Sequence, residues 1–377
     1  MANPFEPITI AGMEIRNRFQ RSATWDASAT DDGEVTDTSV KIIGGLARGG
    51  VGLIVTGYAY VLDEGKAAPH QYGISEERHT KGLRRLVTVA HDYGAKIASQ
   101  IAHGGINTRL LMRRDGPALG PSQVEGHPWE HRAMTADEIE AVVRSFAAAA
   151  VRAREAGFDA VQLHAAHGYL MNQFLSPLTN LRTDEWGGSP EKRRRFHVEV
   201  LRAVRQAVGD DYPVLMKIGL RDRTEGGMTL DEGLETLKAL AGRGLSAVEI
   251  STGVGSGSTV PARPEDPERV YFREDAAAAK RAVAIPVALV GGIRAFPTVE
   301  SILDGDADMV SLCRPLIREN DLIARWQRGD RAPAKCLSCN KCFAFGLRGE
   351  PLECGEEYRL RQEAAEEQQR AGQRSDP

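Results

Sequence analysis

The sequence predicts an α/β fold: a (β/α)8 TIM barrel with a short cysteine-containing C-terminal extension. Short β-branched runs alternate with longer amphipathic stretches over most of the chain, the pattern of βα units around a parallel sheet. The runs number eight, and eight strand–helix units close most naturally into a barrel. No Gly-x-Gly-x-x-Gly follows the first run, which leaves a doubly wound open sheet as the runner-up.

Taken in order, the expected strands are Phe19–Ala23, Val51–Thr56, Lys96–Ala102, Ala160–His164, Val214–Ile218, Ala247–Ser251, Val287–Gly291 and Met309–Cys313. Amphipathic helices are expected over Glu76–Tyr93, Thr135–Ala156, Pro190–Val208 and Leu230–Arg243, with Thr135 and Glu138 forming a capping box. No linker divides residues 1–330, so they read as one barrel domain. Residues 331–355 form a cysteine-rich segment, and 356–377 a tail of Glu, Gln and Arg that reads as a frayed helix or a disordered end.

The chain has 377 residues, 42% hydrophobic and 27% charged, typical of a globular protein with a large core. A net charge of −4 gives no basis for binding nucleic acid or an anionic membrane. No apolar run approaches the roughly 20 residues of a spanning helix. Met1-Ala-Asn-Pro-Phe-Glu-Pro lacks the basic and apolar regions of a signal peptide. The expected setting is the cytoplasm, and the expected assembly a homo-oligomer.

Barrel chemistry sits where the strands end in loops. Those ends carry Ala23-Thr24-Trp25, Thr56-Gly57, Gln100, His164 with His167 and Tyr169, Lys217, Ser251-Thr252-Gly253, Gly291-Gly292 and Cys313-Arg314. Two imidazoles can hold a carbonyl oxygen and a nearby phenol can deliver a proton, which suggests addition across a polarised double bond. The Gly291-Gly292 turn and Arg314 offer the backbone N–H groups and fixed cation that a phosphate needs. Lys217, inside an apolar run, is a costly buried charge unless a partner compensates it. The loops about Tyr58–Tyr72, Asn107–Trp129 and Gly253–Phe272 are expected to shape the pocket.

Several motifs occur in order: Ile15-Arg-Asn-Arg, the segment His164–Leu175, Asn180–Gly188, Arg193-Arg-Arg-Phe196 and Asp306-Ala-Asp-Met-Val310 before Arg314. With them the chain resembles the Old Yellow Enzyme family of FMN-dependent ene-reductases, near the barrel of the dienoyl-CoA reductase branch. The resemblance implies FMN as cofactor and NAD(P)H as reductant sharing one pocket. It implies that Gln100 pairs with the flavin pyrimidine edge and that Lys217 stands beside flavin N1 and O2, where the family usually has arginine. It places His164 and His167 on the carbonyl of an enone or enal substrate. Hydride then passes from flavin N5 to Cβ, and Tyr169 protonates Cα. Ala23, Thr24, Trp25, Gly57 and Cys313 complete the expected cofactor surroundings. Trp25 departs from the small or polar residue usual near the flavin N5, and Cys313 also reads as plain core. The same machinery run in the oxidative sense gives a flavin dehydrogenase or demethylase. A different class, a Schiff-base aldolase, would use Lys217 as nucleophile.

Cys336-x2-Cys339-x2-Cys342, followed by Cys354, has metal-like spacing. Three readings stand side by side: a [4Fe–4S] cluster served by an electron-transfer partner, a structural metal such as zinc, or four reduced thiols. The dienoyl-CoA reductase branch carries a cluster at a similar run, with three residues rather than two in the second gap.

Overall fold

Parallel pairing carries the chain around a full circle. In the computed structural model, which describes residues 3–109, 116–255 and 269–373, the barrel strands are β1 (Phe19–Arg21), β2 (Leu53–Val55), β3 (Lys96–Ala102), β4 (Ala160–Ala165), β5 (Val214–Gly219), β6 (Ala247–Ser251), β7 (Val287–Val290) and β8 (Met309–Leu312). Each pairs in parallel with the next, and β8 returns to β1 through Val310 opposite Phe19, so no edge is left open. These strands are buried on both faces, which is why they read as continuous apolar runs. A two-residue strand, Ala59–Tyr60, adds to β3 beyond the closed ring.

The helical layer comprises α1 (Asp37–Arg48), α2 (Arg78–Asp92), α3 (Ala136–Ala156), α4 (Arg195–Val208), α5 (Leu230–Ala241), α6 (Arg273–Ala282), α7 (Phe296–Leu303) and α8 (Leu322–Gln327). Capping boxes start α1 at Thr36, α3 at Thr135 and α5 at Thr229, each cap contributing about 1 kcal/mol. The expected helix over 190–208 is interrupted at Arg194: a short turn, Pro190–Arg193, precedes α4. Helix α1 contains Gly44-Gly45, which reads as a breaker. There a Cβ on Gly45 would lie 2.7 Å from the Asn320 side-chain nitrogen, so close packing sets the residue against helix propensity.

Two cores result. One lies between the barrel wall and the helices; the other fills the barrel itself with Leu53, Val55, Ala98, Ala160, Leu215, Ala247, Ala288 and Met309. An N-terminal hairpin, Ile8–Ile10 with Met13–Ile15, plugs the bottom of that interior with Ile10, Met13 and Ile15. Its turn needs Ala11 and Gly12 at φ 44° and 82°, a left-handed pair.

Beyond α8 the chain returns across the barrel mouth. Leu352 donates its N–H to the Asp26 carbonyl at 2.8 Å, and a short helix, Phe343–Leu347, faces the cavity described below. The charged tail is helical over Gly355–Gln373, and residues 374–377 lie outside the described residues. So do 110–115 and 256–268, which include parts of two expected pocket loops. Among the described residues no helix is long and apolar enough to cross a membrane.

Candidate active site

A cavity of about 400 Å³ opens at the C-terminal ends of the strands. Its walls bring together Ala23, Thr24, Trp25, Gln100, His164, His167, Tyr169, Lys217, Gly291, Cys313 and Arg314, which are scattered over nearly 300 residues of sequence. Two expected residues stand off it. Gly57 lies behind the wall, where a Cβ would press on the Thr24 carbonyl at 2.8 Å. Gly292 lines a small adjoining recess with Gly291, Arg294 and Arg314.

His164, next to the last residue of β4, is 3% exposed, and among the described residues its Nδ1 has no hydrogen-bond partner. Burial, and then the nearby Lys217, pull its pKa down to about 3. His167 follows in the left-handed region at φ 63°; its N–H donates to the Thr252 carbonyl and its Nε2 meets Ser251 Oγ at 2.7 Å. Burial again dominates, with Lys217 and His164, in holding it well below the usual histidine range. Both rings are therefore neutral through the physiological range, so each can donate through only one nitrogen. Tyr169 stands at the start of a short helix, Leu170–Leu175, its ring 4.9 Å from that of His164. Burial pushes its pKa up, and its hydroxyl donates to the Tyr58 hydroxyl at 3.1 Å.

Tyr58 was not singled out from sequence; the only signal was its place in the first turn after β2. Lys217 has a partner within the protein. Its Nζ lies 3.3 Å from Glu249 Oε1 and donates to Ser22 Oγ at 2.7 Å. Glu249 sits directly opposite Lys217 in the β5–β6 register, a relation visible only once the strands are paired. Gln100 donates its Nε2 to Gln162 Oε1 at 2.7 Å.

Trp25 lines the cavity, but its single donor is already used: Nε1 donates to the Pro69 carbonyl at 2.9 Å. Its indole packs on the cysteine segment, where a Cβ on Gly346 would come within 2.8 Å. Cys313 faces the cavity and sits 3.0 Å from Thr24 Oγ1. Burial raises its pKa, but Arg21, the Thr24 bond, Lys217 and Arg314 together bring it below the usual thiol value. Arg314 donates to Asn340 Oδ1 at 2.6 Å and to the Ser338 carbonyl at 3.2 Å, tying the segment to the cavity wall.

Cys336, Cys339, Cys342 and Cys354 ring one small cavity together with Arg314 and Arg318, and all are free thiols. Burial raises the pKa of Cys336 and pushes that of Cys342 up to about 12. Among the described residues no group of three or more His, Cys, Asp or Glu side chains is arranged around a single-ion position.

The mouth of the closed barrel thus gathers two glycines beside an arginine, a lysine paired with a glutamate, two neutral imidazoles and a phenol. The chain belongs to the NADH:flavin oxidoreductase / NADH oxidase family, whose profile matches residues 3–332. It is 36% identical to an NADH oxidase of Thermoanaerobacter brockii over 346 residues, 90% of this chain and 53% of that protein. It is 37% identical to an NADPH dehydrogenase of Geobacillus thermodenitrificans (strain NG80-2) over 319 residues, 83% of this chain and 90% of that one. Among solved structures, a 2-naphthoyl-CoA reductase in complex with 2-naphthoyl-CoA superposes with a TM-score of 0.87 at 28% identity, covering 93% of this chain and 56% of the other. The chain thus spans about half the length of the first and third of these relatives.

Proposed function

We propose that the protein reduces the C=C bond of α,β-unsaturated carbonyl compounds with FMN and NAD(P)H. The observation that carries this reading is the convergence of His164, His167 and Tyr169 on the lining of one 400 Å³ cavity, with the two imidazoles held neutral. The rest of the lining fits FMN. Gly291 and Gly292 form a tight left-handed turn beside Arg314, packed so closely that a Cβ at Gly292 would strike the Arg269 carbonyl, and its backbone suits a phosphate. The Gln100 amide suits the pyrimidine edge, and Lys217 the N1 and O2 side. Ala23, Thr24, Trp25 and Cys313 shape the remaining wall, with Gly57 supporting it from behind.

When bound, FMN supplies hydride at N5, gained from NAD(P)H and given to the substrate β-carbon. The protein's own part is acid catalysis and orientation. His164 and His167 donate to the substrate carbonyl, drawing charge from the alkene; neutral imidazoles do this without consuming a proton. Tyr169, whose raised pKa keeps it protonated, gives its proton to Cα, and its bond to Tyr58 holds the hydroxyl in place. The solved complex with 2-naphthoyl-CoA supports the substrate class, because that ligand carries a conjugated thioester carbonyl. The oxidative sense would use the same residues. The aldolase reading lacks support, since the Lys217 amine already donates to Ser22 and pairs with Glu249.

Residues 1–330 form the catalytic barrel in this account, and 331–355 a cysteine site that caps its mouth. The Cys-x2-Cys-x2-Cys spacing, with all four thiols lining one cavity, supports a [4Fe–4S] cluster with an electron-transfer partner to serve it. The test of the main reading is simple. Purified protein should be yellow and oxidise NAD(P)H faster when an enone is added; flavin binding with no stimulation by any conjugated carbonyl contradicts it.

A further inference from the structure

We propose that Glu249 is a positioning residue that sets the reduction potential of the flavin, through Lys217 on one side and through Gln162 and Gln100 on the other. The inference rests on the FMN reading above.

Glu249 is 1% exposed and stands where the apolar filling of the barrel gives way to its polar mouth. Its Oε1 accepts from Ser22 Oγ at 2.7 Å and Ser311 Oγ at 2.9 Å, and faces Lys217 Nζ at 3.3 Å. Its Oε2 accepts from Gln20 Nε2 at 2.9 Å and Gln162 Nε2 at 3.0 Å. The partners come from β1 and the residue just after it, β4, β5 and β8, so with its own β6 one carboxylate ties five of the eight barrel strands together. A carboxylate offers about four acceptor positions. Five partners leave none for a substrate, which removes Glu249 from acid–base chemistry and leaves it a structural and electrostatic role. Burial pushes its carboxyl up, but Lys217 and the hydroxyl and amide donors more than offset this, so it stays ionised.

Stability does not explain such a residue, because a buried ion pair is often no better than apolar side chains of similar volume. Its consequences for the cavity do. An ionised carboxylate only accepts, so Gln162 must turn its NH2 group toward Glu249 and its carbonyl oxygen toward Gln100. Gln100 then spends an N–H on Gln162 at 2.7 Å and keeps its own carbonyl oxygen for the cavity, where it can accept from a ring N–H. Glu249 thus fixes, two side chains away, which end of the Gln100 amide meets the flavin. At the same time its negative charge offsets that of Lys217. The cation alone would favour the reduced ring, which carries negative charge at N1 and O2. The pair favours it less.

The test is the FMN midpoint potential of Glu249→Gln beside the unaltered protein, with sulfite titration as a second readout, since sulfite addition at N5 also leaves negative charge on the pyrimidine. Loss of the carboxylate should shift the equilibrium toward reduced flavin about tenfold, which is ~30 mV for a two-electron couple, and should tighten sulfite binding about as much. If Glu249→Gln does not fold, Glu249→Asp serves: it keeps the charge but cannot reach Lys217 and Gln162 together, so a smaller rise is expected. A variant that binds FMN with unchanged or lowered potential overturns the proposal and leaves the flavin reading standing, as does weakened FMN binding alone. Failure of the unaltered protein to take up FMN overturns both.

Discussion

Replacing Tyr169 by Phe separates the two halves of the reaction. The ring is kept, so its packing against His164 at 4.9 Å and Tyr58 at 5.3 Å survives. What goes is one oxygen whose one named hydrogen bond runs to Tyr58. Losing such a bond costs about 1 kcal/mol, which in a protein of this size moves the melting temperature by no more than ~4 °C. Removing a positioned general acid costs far more in rate, on the order of 10²–10⁴-fold. That loss belongs to the step that protonates Cα. The reduction of bound FMN by NAD(P)H needs no proton from Tyr169. Anaerobic stopped-flow measures both: bleaching of the flavin by NAD(P)H, then its recolouring by a cyclic enone. Bleaching should proceed within about twofold of the unaltered rate while recolouring slows by about three orders of magnitude. Equal losses in the two steps, or none in the second, refute the role given to Tyr169.

Other consequences follow from the same geometry. His164 is held near pKa 3 and His167 well below the usual value, so enone reduction should show no ionisation near pH 6.5; a transition there assigned to either ring by its replacement contradicts a neutral clamp. His197, buried in α4 with both ring nitrogens unpartnered among the described residues, is likewise held down to about 3 by burial. Folded values below the unfolded one mean that stability is fully present above pH 6.5 and is lost as pH falls from there toward 3. Denaturation midpoints across that window should show about three protons taken up by these rings on unfolding, and about one fewer in His197→Leu; an unchanged slope in that variant would falsify the assignment. Gly292→Ala, at φ 81° and with the Arg269 carbonyl where the Cβ must go, should weaken FMN binding at least tenfold by fluorescence titration. Gly305→Ala, with open space around it, controls for chain stiffness. Anaerobically purified protein should contain iron and acid-labile sulfide, and Cys342→Ser should lose both; zinc in their place would identify a structural metal instead.

The barrel was legible because buried parallel strands are written as apolar runs, and β3 through β6 fall within a residue of their expected bounds. The helices were less so. Helix α1 has an apolar stripe but is interrupted by two glycines, α6 is half alanine with charges around it, and α7 is only eight residues long, too short for a clear 3.6-residue pattern. Residues at strand ends were legible as a set because the barrel tells which end carries chemistry. Glu249, Gln162 and Tyr58 were not, because their meaning depends on which side chain lies opposite. A glutamate in Ala247–Ser251 looks like a flaw in a strand until register places it beside Lys217. Similarly, only folding shows that Trp25, a departure from the small residue expected there, spends its indole N–H on Pro69 and packs its ring on Gly346.

The most direct measurement is the fate of an enone incubated with the FMN-loaded protein and NAD(P)H without oxygen. The account predicts one NAD(P)H consumed per molecule of saturated carbonyl product, with hydride from the nicotinamide at Cβ and a solvent proton at Cα. Flavin reduction that never passes to the alkene, or deuterium from labelled nicotinamide appearing at Cα, contradicts the clamp of His164 and His167 and the donor role of Tyr169.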